Sequence, residues 1–322
     1  MPHLRLSILY LNTVSIICIA LLGCANDNIE WIPDTPLANY VKIHNERTEY
    51  TQHPNSLKIL AIGNSFTNNS IEYLPYILKS YNLNNITLGK ICHGGASLQN
   101  HERFWRKEAH VYQFQLKTPQ EIGWNINIPN ATIREAVQYT DWDIIVLQQA
   151  SALSGLYKDY QPYLNRLIEH ILSAVTNPDV VFVWHMTWPY STKCKTSAFS
   201  AYKKTPAIMY NSICNATKNM MKETGIKYLI PSGECIYALR NSIINKDTTD
   251  FTEDGIHIDH PIGQYALAYT WFLSIIQPIY NQNLDSTTIH LPQNTSLQLN
   301  MEEEELMKTI IENSVNHSLI YK

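Results

Sequence analysis

Apolar residues along this chain follow two rhythms. Short runs dense in Ile, Val and Leu occur at "LKILAIG" (57–63), "ITLGKIC" (86–92), "DIIVLQQ" (143–149), "VVFVWHM" (180–186) and "IKYLIP" (226–231). They do not alternate with polar residues, so they read as strands buried on both faces. Between them the spacing turns helical: Ile71, Leu74, Ile77, Leu78 and Tyr81 share a face, as do Tyr163, Leu164, Leu167, Ile168, Ile171 and Leu172. The stretch "IGQYALAYTWFLSII" (262–276) is apolar nearly all round, which predicts a helix sunk against the sheet. Strands alternating with helices predict an α/β fold, a three-layer α/β/α sandwich of flavodoxin type with a parallel sheet of about five strands. In such a sheet, ligands gather beyond the carboxyl ends of the strands.

The flanks follow other rules. Residues 25–55 are polar, carry Pro33, Pro36 and Pro54 and lack sustained periodicity, so they read as a tether. Residues 56–281 then form the domain, and 282–322 an extension whose Leu306, Ile310 and Ile311 share one face of a last amphipathic helix. Residues 97–133 are too long for a simple connection and carry Phe104, Trp105, Tyr112, Phe114 and Trp124. Such an insertion is either a lid or functional loop, or padding over an exposed edge of the core.

The first 24 residues, "MPHLRLSILYLNTVSIICIALLGC", set His3 and Arg5 ahead of an apolar core, which is how a secretory signal is built. Their ending resembles a bacterial lipobox, in which Cys24 becomes the lipidated first residue of the mature chain. A plain signal peptide or a spanning anchor are the alternatives. Gly23 before Cys24 and the shortness of the apolar run favour the lipoprotein. The domain is then expected at the bacterial cell envelope, touching membrane only through its lipid anchor. Cys92, Cys194, Cys214 and Cys235 either pair there or stay buried thiols, and without a CxxC motif they make no zinc ribbon. A net charge of −4 with no basic stripe argues against nucleic acid as a partner.

Chemistry enters at the strand ends. Ser65 follows the first strand after Gly63, and Asn69 with Glu72 has capping-box spacing that would place Ser65 on the turn before a helix. In "TEDGIHIDHPIGQYA" (252–266), Asp254 and His257 share a loop that Pro261 closes into the last long helix. An imidazole can take a serine proton and return it to a leaving group, while a carboxylate three residues away holds its tautomer. Gly94 and Gly95 follow the second strand, and Gln148 and Gln149 end the third; backbone N–H groups and a side-chain amide there can meet a developing oxyanion. Each feature also has an ordinary reading, as a turn, a capping loop or a polar strand end. His257, Asp259 and His260 lie close together, but His-x-x-His outside a helical frame is poor zinc spacing, and no metal or organic cofactor is expected.

Taken in order, Gly63-Asn64-Ser65, Gly94-Gly95, a strand-end amide and Asp254-x-x-His257 resemble the SGNH, or GDSL-like, hydrolase superfamily. The stretches "KILAIGNSFTNNSIEYLP", "HGGASLQNH", "WDIIVLQQAS", "VWHMTWPY" and "DGIHIDHPIGQYALAYTWF" are similar to its DUF4886 group, over roughly residues 57–280. The resemblance implies a serine esterase with Ser65 as nucleophile, His257 as base then acid, Asp254 as its orienter, and the N–H groups of Ser65 and Gly95 as oxyanion donors. Two departures stand out: Asn64 replaces the usual acid, and the Gly-x-Asn-Asp block is absent. Carbohydrate acetylesterases of the superfamily use Gln at that point, so Gln149 or Gln148 would substitute. Neighbouring strand side chains point to opposite faces, so only one can serve, and Gln149 is favoured because it precedes Ala150 as the acetylesterase Gln precedes a Gly. The implied substrate is an acylated, most simply acetylated, polysaccharide or oligosaccharide, with Trp105, Trp124, Trp184 and Trp188 either stacking on sugars or filling the core. A non-catalytic glycan-binding lipoprotein and a lipase or thioesterase with the same triad remain the alternatives.

Overall fold

The structure, a computed structural model, describes residues 36–52, 54–246, 249–280 and 290–321. The leader and the lipobox cysteine Cys24 lie outside the described residues. Among those described, no helix is long and apolar enough to cross a membrane.

The five apolar runs all form strands: β1 Leu57–Gly63, β2 Ile86–Cys92, β5 Ile144–Leu147, β6 Val181–His185 and β7 Tyr228–Ile230. They pair in parallel in the order β2-β1-β5-β6-β7, the flavodoxin order among parallel strands. Every residue of β5 and β6 is buried, as continuous Ile, Val and Leu runs require.

The sheet has seven strands, not about five, and the difference lies in the long insertion. Residues 97–133 begin with a helix, α4 (Leu98–Arg106), and continue as β3 (Tyr112–Lys117) and β4 (Asn125–Ala131). β3 runs antiparallel to β2, from Leu88 opposite Lys117 to Cys92 opposite Gln113, and β4 pairs antiparallel outside it. Tyr112 and Phe114 are buried, Trp105 stacks parallel on His170 with centroids 5.7 Å apart, and Trp124 lies under the Lys90 ammonium at 4.3 Å. The insertion's aromatics therefore extend the core past β2. Exposed Pro129 sits on the outer strand, where a missing N–H discourages further pairing.

Helices flank the sheet in two sets. The first holds α2 (Ser65–Ile71), α3 (Leu74–Ser80), α8 (Ser232–Arg240) and α9 (Pro261–Trp271), the last running through a π turn (Phe272–Ile276) into α10 (Gln277–Tyr280). α9 is buried along nearly its whole length, as its all-round apolarity predicts, and contacts α2, α3 and α8. In the second set, α6 (Tyr163–Leu172) contacts α4 and α1 (Pro36–Arg47), and α1 contacts α7 (Pro206–Thr224). A short helix α5 (Ile133–Val137), capped by Thr132 and Glu135, leads into β5.

Both flanks carry a helix that docks on the domain. The tether expected over 25–55 includes α1, which is docked: Val41 is buried, His44 Nε2 meets Val180 O at 2.9 Å, and Asn45 Nδ2 donates to Thr224 O at 2.8 Å. Hydrogen bonds from two polar side chains hold this helix, which is why apolar periodicity does not reveal it. The C-terminal helix α11 (Met301–Asn316) packs on α8 and α9 through Met307, Ile311 and Ser314, with Leu306 and Ile310 partly buried beside them. Beyond it, Ser318 Oγ and Leu319 N–H donate to the Glu234 carboxylate at 2.5 and 3.1 Å. Cys92, Cys194, Cys214 and Cys235 are free thiols.

Candidate active site

Ser65 is the first residue of α2, directly after the strand. Its turn is held by Asn64, the N-cap, whose Oδ1 accepts the Phe66 N–H at 3.0 Å. The Asn69–Glu72 capping box expected from the sequence does not form, because the helix starts earlier; Glu72 instead receives Lys90 Nζ at 3.1 Å. Gly63 is required by space: a Cβ there would lie 2.1 Å from Thr67 Oγ1 and 3.0 Å from Gln148 Cδ.

The loop before α9 delivers the other two groups. His257 Nε2 lies 2.9 Å from Ser65 Oγ, and His257 Nδ1 lies 2.6 Å from Asp254 Oδ2. The second Asp254 oxygen accepts the N–H groups of Ile256 and His257 at 2.7 and 2.8 Å and the Thr252 hydroxyl at 3.2 Å. Partial burial pulls the Asp254 pKa upward, but the bonds from the His257 ring and from the two N–H groups outweigh it and lower it from 3.8 to about 2. This carboxylate is therefore ionised at any ordinary pH. The row is accessible, the His257 and Asp254 side chains being 38% and 49% exposed.

A third segment, after β6, fixes the first two against each other. Trp188 Nε1–H donates to Ile256 O at 2.9 Å, and its ring stacks on Phe66 with centroids 4.1 Å apart. Ser191 N–H donates to Gly255 O at 2.8 Å, and its hydroxyl to Asp250 Oδ2 at 2.5 Å. Arg240 clasps the same region, donating to Asp250 O at 3.0 Å and Pro189 O at 2.7 Å. Trp188 thus braces the serine turn against the histidine loop, a role that no spacing in the sequence signals. Trp184 is buried as well, so neither ring is open to solvent.

The oxyanion candidates divide. Gly94 and Gly95 are exposed at the end of β2, and Gly95 adopts φ +68° with open space around it, a conformation that favours glycine. Among the described residues, the N–H groups of Ser65 and Gly95 donate to nothing within the protein. Both glutamine side chains, by contrast, are committed elsewhere. Gln149 Oε1 accepts the N–H groups of Leu98 and Ala150 at 3.1 and 2.9 Å, and its Nε2 donates to Asp159 O at 2.9 Å. Gln148 Nε2 donates to Asn64 Oδ1 at 2.8 Å, and its Oε1 meets Thr67 Oγ1 at 2.5 Å and His185 Nδ1 at 3.1 Å. Neither residue is more than 1% exposed, so the expectation that Gln149 or Gln148 serves the oxyanion is corrected. Strand-end burial is set by which loops close over the position, and the residue type alone does not report it.

His257, Asp259 and His260 do not converge. His260 Nδ1 accepts the Ile262 N–H at 3.3 Å, and Asp259 accepts the Glu253 N–H at 3.3 Å. Among the described residues no three His, Cys, Asp or Glu side chains are grouped to hold a metal.

Fold and site together define an α/β protein of flavodoxin strand order that presents a serine, a histidine and an aspartate in one hydrogen-bonded row at the carboxyl edge of its sheet. The chain belongs to the DUF4886 family, described as a domain of unknown function, whose match runs over residues 58–295. A crystal structure of a DUF4886 family protein from Bacteroides uniformis is 29% identical, covers 81% of this chain and 95% of that one, and superposes with a TM-score of 0.71. A proposed acylhydrolase from Bacteroides fragilis is 12% identical over 75% of this chain and 96% of its own, with a TM-score of 0.42, a likeness too slight to bear on function. No curated protein sequence matches the chain.

Proposed function

We propose that this protein is a serine ester hydrolase that removes acyl groups, most simply acetyl, from a polysaccharide or oligosaccharide through an acyl-enzyme on Ser65. The observation that carries this reading is the row Ser65 Oγ, His257 Nε2 at 2.9 Å, His257 Nδ1 to Asp254 Oδ2 at 2.6 Å. Nε2 takes the hydroxyl proton as Ser65 Oγ attacks the ester carbonyl, and gives it to the departing sugar oxygen. The carboxylate of Asp254 holds the Nδ1–H tautomer and stabilises the imidazolium. The negative oxygen formed on attack meets the N–H groups of Ser65 and Gly95. Water, activated by the same ring, then releases the acid.

The sugar substrate and the lipid-anchored location at the bacterial cell envelope rest on the resemblance and on the leader ending at Cys24. Trp184 and Trp188 lend no support to sugar stacking, since both are buried.

Two measurements test this. A fluorophosphonate probe should label the wild-type protein and not Ser65→Ala; equal labelling of both, or none of folded wild type, removes the nucleophile and leaves a glycan-binding role. Acetate release from acetylated xylan or pectin should outpace hydrolysis of long-chain esters, and the reverse order would make the protein a lipase or thioesterase.

A further inference from the structure

Beneath the Ser65 turn lies a second row of polar side chains, all but sealed from solvent: Asn64, Gln148 and His185 are each 1% exposed, and Ser232 is fully buried. They come from four places in the fold. Asn64 follows β1, Gln148 follows β5, His185 ends β6, and Ser232 opens α8. Their contacts form one line: Ser232 Oγ to His185 Nε2 at 3.0 Å, His185 Nδ1 to Gln148 Oε1 at 3.1 Å, Gln148 Nε2 to Asn64 Oδ1 at 2.8 Å, and Asn64 Nδ2 to Ala96 O at 3.0 Å.

Chemistry at one end sets the direction of every bond. The Phe66 N–H can only donate and the Ala96 carbonyl can only accept, so Asn64 must present Oδ1 to the first and Nδ2 to the second. Oδ1 then needs a donor from Gln148, which orients that amide with Nε2 toward Asn64 and Oε1 toward Thr67 and His185. An oxygen there accepts only, so His185 must carry its hydrogen on Nδ1. Nε2 is left as an acceptor, and Ser232 donates to it. Burial disfavours the charged ring and pushes the His185 pKa down to about 3, so it stays neutral at ordinary pH.

This line also accounts for Asn64 where related motifs carry an acid. A carboxylate could accept from Phe66 and Gln148 but would set a second oxygen against the Ala96 carbonyl. Through that last bond the line ties the turn bearing Ser65 to the loop bearing Gly95, the two segments that the proposed oxyanion pocket needs at a fixed separation.

We propose that Gln148 and His185 are positioning residues for the Ser65 reaction, acting through Asn64 to hold the serine turn and the Gly95 loop in register. The inference rests on the hydrolase reading for its consequence, but its internal logic can be read without catalysis. Long-range ¹⁵N NMR of the full-length wild-type protein at neutral pH should show His185 as the Nδ1–H tautomer; the Nε2–H tautomer would overturn the proposal. For the reaction, His185→Leu and Gln148→Glu should lower the rate of fluorophosphonate labelling, and kcat on a small acetyl ester, by ~10- to 100-fold with KM changed less than about 3-fold. His185→Asn keeps a donor the same number of bonds from the backbone as Nδ1, and should label within about 3-fold of wild type. If His185→Leu does not fold, Gln148→Glu against His185→Asn still decides. Folded Gln148→Glu labelling at the wild-type rate, or His185→Asn falling as far as the other two, would overturn the positioning role. Failure of wild type to label at all removes the hydrolase reading instead, and with it this row's catalytic consequence, while the tautomer remains as a separate result.

Discussion

Two histidines in this molecule stand in the same kind of place. His257 lies between Ser65 Oγ at 2.9 Å and an Asp254 oxygen at 2.6 Å; His185 lies between Ser232 Oγ at 3.0 Å and a Gln148 oxygen at 3.1 Å. Each uses Nε2 toward the serine and Nδ1 toward the acceptor. Charge and access separate them. Asp254 carries a full negative charge that can stabilise an imidazolium, while the Gln148 amide is neutral and burial holds His185 in its uncharged form. The His257 row opens to solvent and the His185 row is sealed. The same serine–histidine–oxygen geometry thus occurs twice, and the two rows differ in the third partner's charge and in access to solvent.

Removing each serine in turn should separate the two rows most. Ser65→Ala should cut hydrolysis of a small acetyl ester by about 10⁴-fold or more, whereas Ser232→Ala should cost less than ~10-fold. Equal losses would mean that the buried row carries chemistry.

Next in size is the third partner's charge. Asp254→Asn should lower kcat by about 10²- to 10⁴-fold, toward the lower end because this carboxylate is half exposed. The same substitution has a pH signature. The folded pKa of about 2 lies below the ordinary 3.8, so the stability Asp254 contributes is present above pH 3.8 and lost as pH falls toward 2. Melting temperature followed from about pH 5 to 2 should lose that component in Asp254→Asn.

His185 should act in the same direction, over a higher pH window. An unfolded chain takes up this proton near pH 6.5, but the folded one refuses it until about pH 3. Stability therefore falls as pH drops through that window, by at most about 1.4 kcal/mol per pH unit for one group. His101, lowered by burial to about 3, adds a similar fall. His185→Asn should remove one of these contributions in denaturant titrations across about pH 7 to 4, and an unchanged slope would show that His185 is not held neutral.

The smallest effect concerns the oxyanion loop. Gly95→Ala meets no neighbouring atom, so its cost should be the strain of a side chain at φ +68°, about 1 kcal/mol, with labelling slowed less than ~10-fold. A loss as large as that of Asp254→Asn would mean that the loop does more than lend an N–H.

Much of the fold and part of the site can be read along the chain. The five parallel strands fall where continuous β-branched runs lie, α6 and α9 follow their apolar spacing, and Asp254 and His257 meet because three residues on one loop leave them little choice. Other features stay hidden there, for particular reasons. The hairpin β3–β4 lies in a segment whose aromatics read equally as lid or padding. α1 is held by His44 and Asn45 rather than by a long apolar stripe. Gln148 and Gln149 look like free strand-end amides until the loops that bury them are in place. Trp188 is one tryptophan among several until Phe66 and Ile256 O come to either side of it.

Near neighbours along the chain set the strand and helix rhythm and the short reach from Asp254 to His257. Which serine each histidine meets follows from the packed fold, since Ser65 and His257 are separated by 192 positions and Ser232 and His185 by 47. Donors and acceptors pair in space, and the loops converging on the carboxyl edge of one sheet allot those partners only once the strands have stacked.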